Sequence, residues 1–97
     1  MKYENAKIEE AGLYYIGHYG TVNVKLDLET RGGGASVTIP IDKIEEFLSM
    51  FEDDIDLEDG FYIHHLRGFP VRMLLDGTGK ITAIGDILSE KDEMLKL

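Results

Sequence analysis

The run Thr21–Glu29, TVNVKLDLE, constrains the fold most, because apolar and polar residues alternate along its whole length. A period of two is the pattern of a half-buried strand in an antiparallel sheet. Its apolar members would share the buried face: Val22, Val24, Leu26 and Leu28. Gly32–Gly34 then precede a second alternating run, Ala35–Ile39, and glycine accepts the positive φ values of tight turns. The stretch therefore predicts a β-hairpin.

Further strands are predicted on both sides of this hairpin. Upstream, Lys7–Ile16 has strand character with an interruption at Gly12, and Gly17–Gly20 would form its turn. Downstream, Pro70–Leu75 and Lys80–Ile84 flank the turn DGTG and predict a second hairpin. The pattern leaves the structure of residues 61–66 open.

A helix is predicted after Pro40, because five apolar residues recur at helical spacing: Ile41, Ile44, Phe47, Leu48 and Phe51. Asp42 and Glu45 have the spacing of a capping box. Ser89–Asp92 has the character of a cap for a short C-terminal helix. The order of elements predicts an α+β fold in one domain, residues 1–97, with an antiparallel sheet of about five strands and one helix packed on a face.

Composition narrows the function. With 43% hydrophobic and 30% charged residues, the chain has the balance of a globular domain. The absence of cysteine excludes disulfides, thiolate chemistry and thiolate zinc sites, and fits a reducing compartment. No apolar run has the length of a signal peptide core or of a membrane span. We therefore expect a soluble, cytoplasmic protein with no membrane partner.

The net charge of −9 is concentrated in one part of the chain. Residues 42–59 carry nine acids and one base, so that this segment has a charge of −8 and the rest of the chain −1. A focused negative field steers basic partners and disfavours direct binding of nucleic acid. The candidate partner-binding residues form what we call the acidic surface: Glu45, Glu46, Glu52, Asp53, Asp54, Asp56, Glu58 and Asp59. A solvated connector is the alternative interpretation.

Acids in the same segment also have spacings that suggest metal binding. An EF-hand loop that starts at Asp54 would have Asp59 where glycine is required and His65 where the bidentate glutamate belongs, so this interpretation fails. A looser divalent-cation site from Asp54, Asp56 and Asp59 stays open. His64 and His65 are sequence neighbours and cannot easily bind one ion together. We expect half-buried histidines near Arg67, no metal and no cofactor.

Catalytic signatures are missing. No serine lies in a GxSxG elbow, and RGGG and DGTGK lack the features of a phosphate loop, so both are interpreted as hairpin turns. We expect a protein that is not an enzyme. Most of its tyrosines are expected in the core or at its margin, and any exposed beside the acids would favour partner binding.

Three stretches together resemble a group of small, uncharacterised phage and prophage proteins: GTVNVKLDLE, the glycine-rich turn RGGGAS, and the closing GFPVRMLLDGTGKITAIGDIL. The likeness covers residues 20–88 and rests on structural motifs. The group often has histidine after the final Ile-Gly, whereas Asp86 follows Gly85 here. The resemblance implies a mobile-element protein that binds a host protein, for example an inhibitor of a defence nuclease, as anti-CRISPR proteins are.

The leading hypothesis is thus a monomeric or homodimeric binding protein that engages a basic host protein, such as a nucleic-acid-binding enzyme, through its acidic surface. Two alternatives remain open. One is a small-molecule or divalent-ion binding domain that uses His64, His65 and the nearby acids. The other is a structural module that self-assembles through an unpaired sheet edge.

Overall fold

The computed structural model describes the whole chain, Met1–Leu97, and is dominated by one antiparallel sheet. Its strands are β1 (Lys2–Ile16), β2 (Thr21–Thr30), β3 (Gly33–Pro40), β4 (Pro70–Leu75), β5 (Ile81–Asp86) and β6 (Leu95–Lys96), and its one α-helix is α1 (Ile44–Ser49). Single 3-10 turns lie at Ile41–Lys43, Ile63–Leu66 and Lys91–Glu93. The sheet order is β3-β2-β1-β4-β5-β6. An antiparallel sheet with a short helix agrees with the predicted class in its coarse form, but there are six strands rather than about five.

The long strand β1 joins the two halves of the sheet. It pairs with β2 from Ala6 to Ile16 and with β4 from Lys2 to Lys7. Its irregularity lies between Ile8 and Glu10 instead of at the predicted Gly12. The extra residue resets the alternation, so that Ile8 and Ala11 are both buried.

The β2–β3 hairpin matches the prediction. Its register runs without a shift from Asn23 opposite Pro40 to Thr30 opposite Gly33, and Gly33 has a φ of 132°. The predicted buried face is confirmed at three positions, each 1% exposed or less: Val24, Leu26 and Leu28. Val22 departs from it at 41% exposed; it lies at the start of β2, next to the β1–β2 turn and outside the run of buried positions.

The helix is shorter than predicted and does not lie across the sheet. Residues Ile41–Lys43 form a 3-10 turn directly after Pro40, and neither this turn nor α1 has a side-chain cap. The predicted capping box of Asp42 and Glu45 is therefore wrong, because Asp42 lies inside the turn and not at the helix N-cap. α1 contributes one fully buried side chain, Phe47, and the core is completed by residues outside the helix, including Phe51 and Leu66.

The C-terminus forms a strand where a helix was predicted. Met94 packs with Leu74 and Ala83 on one side of the sheet, whereas Leu95 joins the main core on the other. Consecutive residues reach opposite faces only in extended chain, which explains β6. A capping box does form on the preceding 3-10 turn, but its members are Glu90 and Glu93 rather than Ser89.

Candidate partner-binding surface

All eight residues of the acidic surface are exposed to solvent. Glu45 and Glu46 lie in the first turn of α1, where the helix dipole favours negative charge. The other six follow in the irregular chain between α1 and the 3-10 turn at Ile63–Leu66. All eight predicted residues thus lie on exposed chain between residues 45 and 59.

The stretch is attached to the core at two points between its acids. Phe51 is 2% exposed, and its carbonyl accepts hydrogen bonds from the amides of Asp54 (2.8 Å) and Ile55 (3.0 Å). Ile55 is half-buried and packs against the same core. The acids at 52–54 and 56–59 therefore project from chain that is held at its apolar residues, which differs from a freely solvated connector.

Asp56 organises the end of the stretch. Its Oδ1 accepts hydrogen bonds from the backbone N–H groups of Glu58 (3.1 Å) and Asp59 (3.2 Å), an Asx-type turn. The Asp59 amide, followed by the Asp59 side chain and the Glu58 amide, lowers the pKa of Asp56 below its ordinary value of 3.8. Because these bonds favour the ionised form, the turn keeps its charge at neutral pH and in mild acid.

No base neutralises these carboxylates within the molecule. The one ion pair in the structure joins Arg67 to Glu10, and neither of these residues belongs to the acidic surface. Arg67 also donates to the carbonyl of Glu9 (3.1 Å) and so fixes that turn against β1. The charge of the acidic surface is consequently free to act on a second molecule.

The histidines form an exposed aromatic cluster. The ring of His64 stacks on Tyr62 with 5.4 Å between centroids, and the rings of His64 and His65 lie 4.5 Å apart. Both histidines are exposed rather than half-buried as predicted. No group of three or more His, Asp or Glu side chains has the geometry to hold a metal ion, so the divalent-cation alternative gains no geometric support.

Both glycine-containing segments are hairpin turns, as predicted. In DGTGK, the Asp76 Oδ1 accepts from the amides of Thr78 (2.8 Å) and Lys80 (3.0 Å), which leaves no amide cradle for a phosphate. The Ser36 hydroxyl donates to Asp27 (3.2 Å), which is not the arrangement of an activated nucleophile.

One feature was missed from the sequence. Four apolar side chains are exposed where the β1–β2 hairpin ends and at the first residue of the 3-10 turn Ile41–Lys43. They are Leu13 (70%), Tyr15 (64%), Val22 (41%) and Ile41 (49%). Tyr14, Tyr19 and Tyr62 are also exposed, so the tyrosines are not core residues as expected. Alternation places Val22 on the core face, but it does not show how far along a strand the covering layer extends.

Comparisons with protein-family models, with curated proteins and with solved structures found no match. The helical segments are all too short to cross a bilayer.

Proposed function

We propose that this chain is a small acidic binding protein, of phage or prophage origin, that engages a basic host protein through its acidic surface. The observation that carries the proposal is that eight exposed carboxylates follow one another along residues 45–59 without an internal cationic partner. Charges arranged in this way contribute little to the stability of their own fold. They are suited to steering and selecting an oppositely charged partner.

The preferred partner class is a nucleic-acid-binding enzyme of the host, such as a defence nuclease. Such an enzyme has a basic channel that is built for phosphates, and carboxylates spaced along an ordered stretch can occupy it in their place. The attachment of the stretch through Phe51 and Ile55 supports this role, because a surface held in place loses less conformational entropy on binding.

The test compares two variants with the same change of charge. The first replaces Asp53, Asp54 and Asp56 by Asn and Glu58 by Gln; the Asp56→Asn change keeps a side-chain oxygen for the Asx turn. The matched control neutralises four carboxylates outside residues 42–59 that make no hydrogen bond or ion pair of their own: Glu4→Gln, Glu9→Gln, Glu29→Gln and Asp92→Asn. Wild type and both variants are immobilised and exposed to host-cell extract at low and at moderate salt.

We expect wild type and control to retain the same basic protein at low salt and the first variant to lose it. Moderate salt should weaken the retained complex, because screened charges contribute most of the attraction. Added DNA should compete with the complex if the partner uses its nucleic-acid channel. A partner that binds all three forms equally and ignores salt would show that the acidic surface is not the binding site.

A further inference from the structure

The strand β3 is an open edge of the sheet. It is eight residues long and is hydrogen-bonded to β2 alone, with no register shift. In an antiparallel pair, alternate residues turn their N–H and C=O groups away from the partner strand. The outer side of β3 therefore presents a row of unpaired backbone donors and acceptors. The opposite edge of the sheet, β6, has only two residues.

This edge lacks the usual protection against pairing. Monomeric proteins place charges, prolines or bulges on their edge strands, but Gly33–Pro40 contains no charged residue and its one proline is the last residue. The two exposed side chains in its middle, Ser36 and Thr38, are small. A groove runs beside the strand and is lined on its far side by Lys80, Ile81 and Leu97. A strand that pairs with β3 would thus gain apolar contacts as well as hydrogen bonds.

We propose that β3 pairs with β3 of a second copy of this chain, antiparallel and about a two-fold axis at Ser36, so that Ser36 of one copy lies directly opposite Ser36 of the other. A two-fold axis requires that each surface meet itself, and a single strand meets itself only in antiparallel pairing. The proposal does not depend on the function of the acidic surface.

Charge favours this edge over other surfaces for self-association. Two chains with a net charge of −9 repel one another, and the repulsion is smallest where no charge lies at the contact. Each acidic surface begins shortly after the end of β3, so antiparallel pairing places the two at opposite ends of the dimer. Eight strand residues span about 26 Å, well beyond the screening length of about 8 Å at physiological salt.

The first test measures mass by sedimentation over a concentration series, for wild type, Ser36→Lys and Ser49→Lys. Ser36 lies opposite Asp27 on β2, so lysine is accommodated in the single chain, but the two-fold axis would place it next to its own copy. Ser49 is exposed at the end of α1 and serves as the control with the same charge change. We expect a reversible dimer for wild type and Ser49→Lys, and loss of the dimer for Ser36→Lys, with all three forms having the same Tm at concentrations low enough for wild type to be monomeric.

A second test uses the absence of native cysteine. Ser36→Cys should form a disulfide-linked dimer with oxidised glutathione, because the axis brings residue 36 of both copies together, whereas Ser49→Cys should remain largely unlinked. A wild type that stays monomeric at every concentration would overturn the proposal. So would a dimer that Ser36→Lys leaves intact, or equal cross-linking of the two cysteine variants.

Discussion

Gly85 lies where the C-terminal segment packs against the sheet, and it leaves room for Ser89 and Met94. It is buried in β5, and a Cβ added there would lie 2.7 Å from the Ser89 Oγ, 2.9 Å from the Ser89 Cβ and 3.3 Å from the Met94 Cγ. The first two separations are shorter than van der Waals contact allows. Ser89 is itself buried, and its amide donates to the Asp86 carbonyl (2.8 Å), so it has little room to move. The close packing of Ser89 and Met94 therefore explains why glycine follows Ile84 in the second hairpin.

We predict that Gly85→Ala lowers the free energy of unfolding by about 1–3 kcal/mol, the usual range for overpacking a core site. Urea denaturation measures the change. Gly12→Ala is the matched control, because an added Cβ there meets no atom within 4 Å and the backbone has no positive φ. Equal effects of the two substitutions would mean that the contact with Ser89 and Met94 does not limit this position.

The β4–β5 turn is an element built around one carboxylate. Beyond the two amides already described, the Asp76 Oδ1 accepts from the Thr78 hydroxyl (2.7 Å), and the Asp76 amide donates to the Lys80 carbonyl (2.9 Å). The Thr78 hydroxyl, followed by the Lys80 and Thr78 amides and the Lys80 charge, lowers the pKa of Asp76 below its ordinary value of 3.8. The bonds to Oδ1 are all made to the ionised form.

This shift has a definite sign in the dependence of stability on pH. A carboxyl whose pKa is lower in the folded state stabilises the fold above its unfolded pKa, and this contribution is lost as pH falls through the folded pKa. We predict that Asp76→Ala is less stable than wild type at neutral pH and that the difference shrinks as pH falls below 3.8. Asp76→Asn, which keeps an acceptor oxygen without the charge, should be intermediate at neutral pH. Urea titrations at several pH values measure this, and a difference that is independent of pH would refute the role of the charge.

The elements that could be predicted from the sequence are those whose pattern is local. The β2–β3 hairpin follows from strict alternation and a glycine turn, and the β4–β5 turn from DGTG. The structure of α1 depends on more distant contacts. Phe47 and Phe51 are buried as helical spacing predicts, yet the helix ends at Ser49 and Phe51 is buried from the following turn. β6 has only two residues and pairs with β5. A strand this short has no periodicity in the sequence from which it could be predicted.

The acidic surface, too, could be predicted from the sequence only in part. Exposure of all eight acids could be predicted from their charge alone, since an unpaired buried carboxylate is too costly to occur often. The attachment through Phe51 and Ile55 and the Asx turn at Asp56 required the structure. The exposed Leu13 and Tyr15 could not be predicted either, because the 3-10 turn at Ile63–Leu66, which packs against β1, is remote in sequence.

At the scale of the whole molecule, the negative charge lies on the exposed side chains of one segment, while apolar residues of the same segment, such as Phe47 and Phe51, belong to the core. The main core is one cluster with members from all six strands, whereas residues 42–59 hold nearly all of the charge imbalance. If β3 pairs as proposed, the dimer carries two acidic surfaces at opposite ends. A partner with two basic sites at a matching separation would then bind with avidity that neither surface supplies alone.

The last prediction distinguishes carboxylates that serve partner binding from carboxylates that stabilise the fold. The variant with Asp53, Asp54 and Asp56 as Asn and Glu58 as Gln loses four negative charges but no internal ion pair. Relief of the mutual repulsion among the carboxylates should outweigh the weaker hydrogen bonds that a neutral side chain accepts at the exposed Asp56 turn, so we predict that its Tm equals or exceeds that of wild type at low salt. Added salt screens the repulsion, so the two values should converge as salt is raised. Thermal unfolding at a series of salt concentrations measures this. A variant that is clearly less stable than wild type at every salt concentration would show that these carboxylates support the fold, and loss of partner binding by that variant would then no longer identify the site.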